Sequence, residues 1–259
     1  MSYRTFSLHQ LGWRSAYAQQ LTLADFETGY PARVMAAHGG RLDVLSSRGS
    51  ASLPFPAEPV GNDVVVGDWI WLDDATDGVL RVLARHSRVA RVHVQGGHRR
   101  PPAAANLDVL FIVWSCQAEF QPARLLRYLA LANGSGVTPV VVATGVDRAG
   151  RAEQLATAAR GLLPSLAVVH APSGSSEGLS DLAPWLLPGL TVAFVGTASA
   201  GRSLVMRRVL GPAGDAPRAA MLRGMLPSPA GAWVMETPEL RQWCLGTAEP
   251  VPDAVFEAA

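Results

Sequence analysis

Residues 191–203, TVAFVGTASAGRS, decide how the chain is read. An apolar run reaches Gly196, four residues lead to Gly201, and Arg202 and Ser203 open a stretch with helical spacing. Strand, G-x-x-x-x-G-[basic]-[Ser/Thr], helix is the layout of a phosphate-binding loop. Backbone N–H groups and a helix N-terminus surround phosphate oxygens there, and the hydroxyl reaches Mg²⁺. Arg202 stands where such a loop carries Lys, and a wide planar guanidinium does not fill the space of a compact ammonium. No Lys is available elsewhere, because all 22 basic residues are Arg. Taken alone, the stretch fits either a nucleotide loop or a tight strand–helix turn.

Working outward, residues 106–236 alternate short apolar runs with helical spacing. Strands are expected at 107–114, 137–144, 167–170, 191–196 and 233–236, and helices at 122–133, 151–163, 179–187 and 201–210. That alternation predicts a parallel sheet with helices on both faces. Residues 31–94 differ. Short segments of β-branched or alternating character at 32–35, 40–45, 63–66, 68–72, 78–83 and 89–94, punctuated by Gly, Asp, Asn and Pro, predict a small barrel or sandwich. The expected division is an N-terminal extension over 1–30, a β-barrel over 31–100 and an α/β domain over 101–259.

Composition narrows the classes. Hydrophobic residues make up 49% of 259 residues and charged residues 17%, which places the chain among core-forming proteins. The net charge of +1 excludes a strong polyanion binder over the whole surface. Two cysteines, Cys116 and Cys244, exclude a disulfide scaffold and a Cys-rich zinc site. The longest apolar runs, VLFIVW at 109–114 and VAFV at 192–195, fall far short of the ~18 residues of a membrane helix, and no signal peptide opens the chain. No membrane association is expected, and the cytoplasm is the expected location.

A second motif gives the loop its context. Residues 140–147, VVVATGVD, run a strand into Thr144-Gly-x-Asp147, which resembles the guanine-recognition element [NT]-K-x-D. It precedes the phosphate loop, and this order is that of circularly permuted GTPases. With a barrel in front, the chain resembles the bacterial ribosome small-subunit-dependent GTPases over residues 31–247. The resemblance is carried by VVVGDWIWL at 64–72, AANLDVLFIV at 104–113, LRYLALA at 126–132, EGLSDL at 177–182 and RGMLPSPAGAWVMETPELR at 223–241. It implies an OB-fold barrel, a permuted P-loop GTPase-like α/β domain, and a C-terminal zinc domain whose Cys/His cluster is not expected here. Nucleotide binding would fall to Thr144, Asp147, Gly196, Gly201, Arg202 and Ser203.

Several of the family's chemical positions are altered. Ser199 replaces a Gly, Arg202 the loop Lys, and Gly145 the Lys of the base-recognition element. The threonine-bearing switch aligns with Ala219 and Ala220, which cannot ligate Mg²⁺, a hard cation that takes oxygen. The family's D-T-P-G aligns with Glu236-Thr-Pro-Glu239. A carboxylate at Glu239 facing a phosphate at ~5 Å would cost on the order of 3 kcal/mol at an effective dielectric of ~20. Phosphoryl transfer rests on positioned positive charge and Mg²⁺, so productive hydrolysis is not expected, and GTP or GDP with Mg²⁺ would bind weakly at most.

Two further groups stand out. Six Arg and three His, with no acid, occupy 81–100. Arg85, Arg88, Arg91, Arg99 and Arg100 read either as phosphate-backbone contacts to RNA or as a solvated face inherited from an RNA-binding ancestor. Trp114, Cys116 and Trp233 read as core, or as a former nucleotide pocket refilled for an organic small molecule. Three functions follow: a binding module docked on small-subunit ribosomal RNA or another partner, a repurposed small-molecule enzyme or binder, and a residual GTPase.

Overall fold

The computed structural model describes residues 5–57, 64–89, 103–145, 149–171, 176–196, 200–211, 224–237 and 240. Two short helices, α1 (Ser15–Ala18) and α2 (Leu23–Thr28), lead into the β region. There β1 (Gly29–His38), β2 (Arg41–Ser46), β3 (Gly49–Pro54), β4 (Trp69–Asp73) and β5 (Val79–Val82) follow, then β6 (Arg88–Val89) and β7 (Ala104–Ala105). β1 is the centre, pairing antiparallel with both β2 and β4, while β3 pairs with β2 and β5 with β4. This is an OB-like barrel, and Ala32, Val34, Leu42, Val44, Ile70 and Leu72 fill its interior by strict alternation along the strands.

The α/β part runs β8 (Val109–Ser115), α3 (Pro122–Ser135), β9 (Thr138–Thr144), α4 (Ala149–Leu162), β10 (Ala167–Ala171), a 3₁₀ helix (Ser176–Trp185), β11 (Thr191–Gly196), α5 (Arg202–Leu210), β12 (Gly224–Pro227) and β13 (Trp233–Glu236). β10, β9, β8, β11 and β13 lie side by side in parallel. Alternation along β8 sets the two layers. Phe111 and Val113 pack with Phe194 and Val205 beneath α5, whereas Leu110, Ile112 and Trp114 join Leu125 and Leu155 of α3 and α4. Each such apolar side chain contributes about 1.5–3 kcal/mol of burial. The base-recognition strand β9 precedes the loop strand β11 in the chain, the permuted GTPase order.

The two parts share one sheet. β12 pairs antiparallel with β13 on one side and reaches β1 on the other, at Ala36 opposite Gly224. A Cβ at Gly224 would lie 2.3 Å from the Met35 carbonyl, so only glycine permits this approach. Neither β12 nor β3 was expected, since GMLP and GSASLP lack apolar alternation, and both form by pairing with stronger neighbours. The strand expected at 63–66 is instead a turn over the described 64–67, where the Asp68 carboxylate accepts the Val65 N–H at 2.8 Å. Most of the strand expected at 89–94 lies outside the described residues. The helix expected at 179–187 is 3₁₀ and contains Pro184, which has no N–H to donate.

The first described residues pack against the rest of the molecule. Leu11 and Tyr17 are buried, Phe6 meets the Trp233 ring edge-on at 5.1 Å, and the Trp233 Nε1–H donates to the Gln10 carbonyl at 2.8 Å. Residues 6–17 are thus packed over the seam between barrel and α/β layer.

Candidate functional site

The loop strand β11 is buried along its whole length and ends at Gly196, whose φ of 135° and whose approach to the Val113 carbonyl, 2.3 Å from an added Cβ, exclude a side chain. Residues 197–199 lie outside the described residues. Gly201 caps α5 and its carbonyl accepts the N–H groups of Leu204 and Val205 at 2.9 and 3.1 Å. Ser203 is exposed on the first turn.

Arg202 turns toward β13. Its guanidinium is buried, and Nη1 donates to the Glu236 carboxylate at 3.1 Å and to the Phe194 carbonyl at 3.4 Å. Glu236 arrives because β13 runs parallel to β11 in the adjacent position, with Ala193 opposite Met235. Arg202 is thus paired with a carboxylate 34 residues further on. Thr144 is likewise engaged, its hydroxyl donating to the Ala200 carbonyl at 2.6 Å with the Trp114 carbonyl at 3.2 Å. Asp147, Ala219, Ala220 and Glu239 lie outside the described residues. Among the described residues, the one basic side chain of the loop motif is engaged by Glu236, and Ala219 and Ala220 have no side-chain oxygen to offer Mg²⁺. No cluster of three or more metal-ligating side chains occurs among the described residues.

The basic group divides. Arg85 is a correction: it is buried against the turn before β4, holding Asp68 bidentately through Nε–Oδ1 at 2.6 Å and Nη2–Oδ2 at 2.7 Å, with 5% and 0% of the two side chains exposed. A buried guanidinium cannot touch a phosphate backbone. Arg88 is exposed beside β7, while Arg91, Arg99 and Arg100 lie outside the described residues.

Trp114, Cys116 and Trp233 are not brought together. Trp114 packs on Phe120 at 5.6 Å on the α3–α4 face. Cys116 lines a cleft there with Arg151 and Gln154, its thiol raised by burial, with Arg151 pulling the other way. Trp233 floors a different groove, between Phe6, Met35, Leu45 and Met225. A single refilled pocket is excluded by this placement.

Sequence reasoning missed a polar junction at the seam. Arg33, 2% exposed in β1, donates to the Leu11 carbonyl and the Thr191 hydroxyl at 2.6 Å each, and burial lowers its pKa to about 10. Beside it Asp108 receives Arg14, His86 Nε2 at 3.0 Å and the Thr191 N–H at 2.7 Å. Burial pushes the Asp108 carboxyl up, but these partners more than offset it and hold it below the usual range. Tyr17 hydroxyl and His86 Nδ1 lie 2.8 Å apart, and burial takes the Tyr17 pKa to about 12. Asp108 inside an apolar strand and Arg33 inside another were the available signs.

Residues 82–219 match the sequence model of the RsgA GTPases. The chain belongs to the RsgA GTPase family. It is 36% identical to the small ribosomal subunit biogenesis GTPase RsgA of Mesorhizobium japonicum, over 91% of this chain and 71% of that protein. It is 34% identical to small ribosomal subunit biogenesis GTPase RsgA 2 of Vibrio vulnificus, over 81% of this chain and 59% of that one. In three dimensions it resembles YjeQ from Thermotoga maritima, with a TM-score of 0.64 at 16% identity over 83% of this chain and 76% of that one. It also resembles YloQ, a circularly permuted GTPase, with a TM-score of 0.60 at 18% identity over 85% and 73%. These two likenesses establish the fold, a permuted GTPase-like α/β domain behind an OB-like barrel. Among the described residues no helix is long and apolar enough to cross a membrane.

Proposed function

We propose that this protein docks on the small ribosomal subunit as a member of the RsgA GTPase family that does not turn over GTP efficiently. The relatives' names support the subunit as partner. The observation that carries the loss of turnover is the buried Arg202–Glu236 pair. Hydrolysis of a phosphoanhydride in such a site depends on positive charge preorganised around the leaving and transferred groups. A guanidinium neutralised by a neighbouring carboxylate supplies little of it. What persists is a scaffold: an OB-like barrel joined by one continuous sheet to an α/β layer, with a basic segment at their connection.

The test is a phosphate-release assay with GTP, Mg²⁺ and purified small subunits, paired with co-sedimentation at several salt concentrations. Expected are release at the protein-free rate and salt-sensitive association that is the same with or without nucleotide. Subunit-stimulated turnover would overturn the first half, and no association at low salt the second. A residual GTPase is the second reading, favoured by the intact backbone geometry at Gly196 and Gly201 and by Ser203 on the first helical turn. The same assay separates the two.

A further inference from the structure

A groove lies at the other end of the parallel strands from the loop. Trp233 opens β13 opposite Thr191 of β11, at the amino end of both, whereas the loop follows Gly196 at the carboxyl end. Beside Trp233 the groove holds about 510 Å³ and is lined from β12, β1, β2 and β3. That volume is within the roughly 300–1,000 Å³ of small-ligand sites. None of its lining residues belongs to the loop or to β9.

The groove forms where the barrel sheet meets the α/β layer. Alternation along β2 turns Leu42 and Val44 into the barrel and leaves Asp43 and Leu45 on the outer face. There Leu45, and Met35 from β1, join Met225 and Trp233 in the apolar cluster of the seam. Strand order then grades the lining. Trp233, Met225 and Met35, on β13, β12 and β1, are apolar, and Asp43 and Ser52, paired across β2 and β3, are polar. Thioether side chains such as Met35 and Met225 adapt to ligands of varied shape.

Asp43 is the one ionisable side chain in the lining. Among the described residues its charged neighbour is His38, whose Nδ1 is 3.8 Å away, beyond hydrogen-bond reach. Arg41, two residues earlier on the same face, turns to β3 instead, and its Nε donates to the Ser52 hydroxyl at 3.0 Å. The half-exposed carboxylate is thus left as an acceptor at the edge of an apolar groove. An ionised carboxylate only accepts hydrogen bonds, so its complement is a cationic donor.

We propose that this groove binds a small organic ammonium ion, its aromatic or branched apolar body against Met225 and Trp233 and its N–H groups on the Asp43 carboxylate. Apolar walls disfavour a ligand charged along its length, and the single negative charge disfavours carboxylates and phosphates. An exposed ion pair contributes little, so the apolar body supplies most of the affinity and Asp43 the selection by charge. The inference stands apart from the reading of the phosphate loop.

The experiment titrates the full chain with three probes of similar shape: 2-phenylethylammonium, 2-phenylethanol and 3-phenylpropionate. Binding is read by NMR from the Trp233 indole N–H and the Met225 methyl, each assigned by its loss in Trp233→Phe or Met225→Leu. Titrations run to about 50 mM, because probes this small bind weakly. Wild type is expected to bind the ammonium about threefold to fivefold tighter than the alcohol, and the carboxylate weakest. Asp43→Asn changes a side chain that is 44% exposed. It is expected to bring the ammonium level with the alcohol and to leave the alcohol unchanged. Ser50→Phe, which fills the groove from an exposed position, is expected to abolish binding of all three. Should Ser50→Phe fail to fold, Asp43→Asn still decides. The inference is overturned if no probe moves either signal, if wild type binds ammonium no tighter than alcohol or carboxylate, or if the ammonium preference survives in Asp43→Asn.

Discussion

The barrel and the phosphate loop each bury one Arg–carboxylate pair, and in each the Arg was the residue expected to meet phosphate. Asp68 and Arg85 form two hydrogen bonds at 2.6 and 2.7 Å, and Asp68 takes a third from the Val65 N–H. Arg202 reaches Glu236 through one at 3.1 Å. The barrel pair is a planar fork on a fork that fixes a turn and the strand after it, and is part of the fold. The loop pair spans two elements already held together by apolar packing, so it contributes little to holding them. Burial alone does not say how much an ion pair holds a fold together; what else joins its two elements does.

Breaking the barrel pair should have the largest effect. Asp68→Asn strands the buried Arg85 cation and is expected to cost about 3–5 kcal/mol, lowering the melting temperature by roughly 6–20 °C, read by circular dichroism. The loop pair supplies the contrast. Replacing both of its members, R202M/E236M, is expected to change stability by no more than about 1 kcal/mol in urea titrations, since apolar residues of like volume often substitute for a buried pair without loss. A loss as large as that of Asp68→Asn would erase the distinction.

The seam junction should fall between them. Asp108→Asn is expected to cost about 2–3 kcal/mol, less than the barrel pair because Arg14 is 40% exposed. Since the folded carboxyl is held below its unfolded value of 3.8, its contribution is present above about pH 4 and lost as pH falls through the lower folded value. Urea midpoints from pH 2 to 6 should show this acid slope in wild type and a shallower one in Asp108→Asn. Trp233→Phe removes the hydrogen bond to Gln10 and reshapes the contact with Phe6. About 1–2 kcal/mol is expected, with faster tryptic cleavage at Arg14.

The smallest effect on stability is expected from the exposed Arg88. Arg88→Glu should leave the melting temperature within about 2 °C, yet weaken small-subunit association and reduce its salt slope by about 1. An unchanged slope would mean that Arg88 faces solvent only.

Much of the fold was legible in local pattern. The runs that became β8, β9 and β11 are apolar enough to be buried on both faces, and such strands declare themselves without help. β3 and β12 did not, because GSASLP and GMLP are strands only by virtue of what they pair with. At the site, glycine spacing located the loop, but nothing local to Arg202 says where a long flexible side chain will turn. Arg85, amid five other Arg and three His, looked like part of a surface. Its partner Asp68 sits 17 residues earlier, beyond the reach of any periodic signal.

By itself the sequence determined the alternation of strand and helix from β8 to α5, the permuted order of the strands β9 and β11, and the family, because these depend on spacing and on backbone demands that only certain residues meet. Tertiary structure alone decided which charges cancel. β11 and β13 become neighbours only in the assembled sheet, and β12 meets β1 only there. Electrostatic partners depend on distance through space, and that is set by strand order rather than by position along the chain.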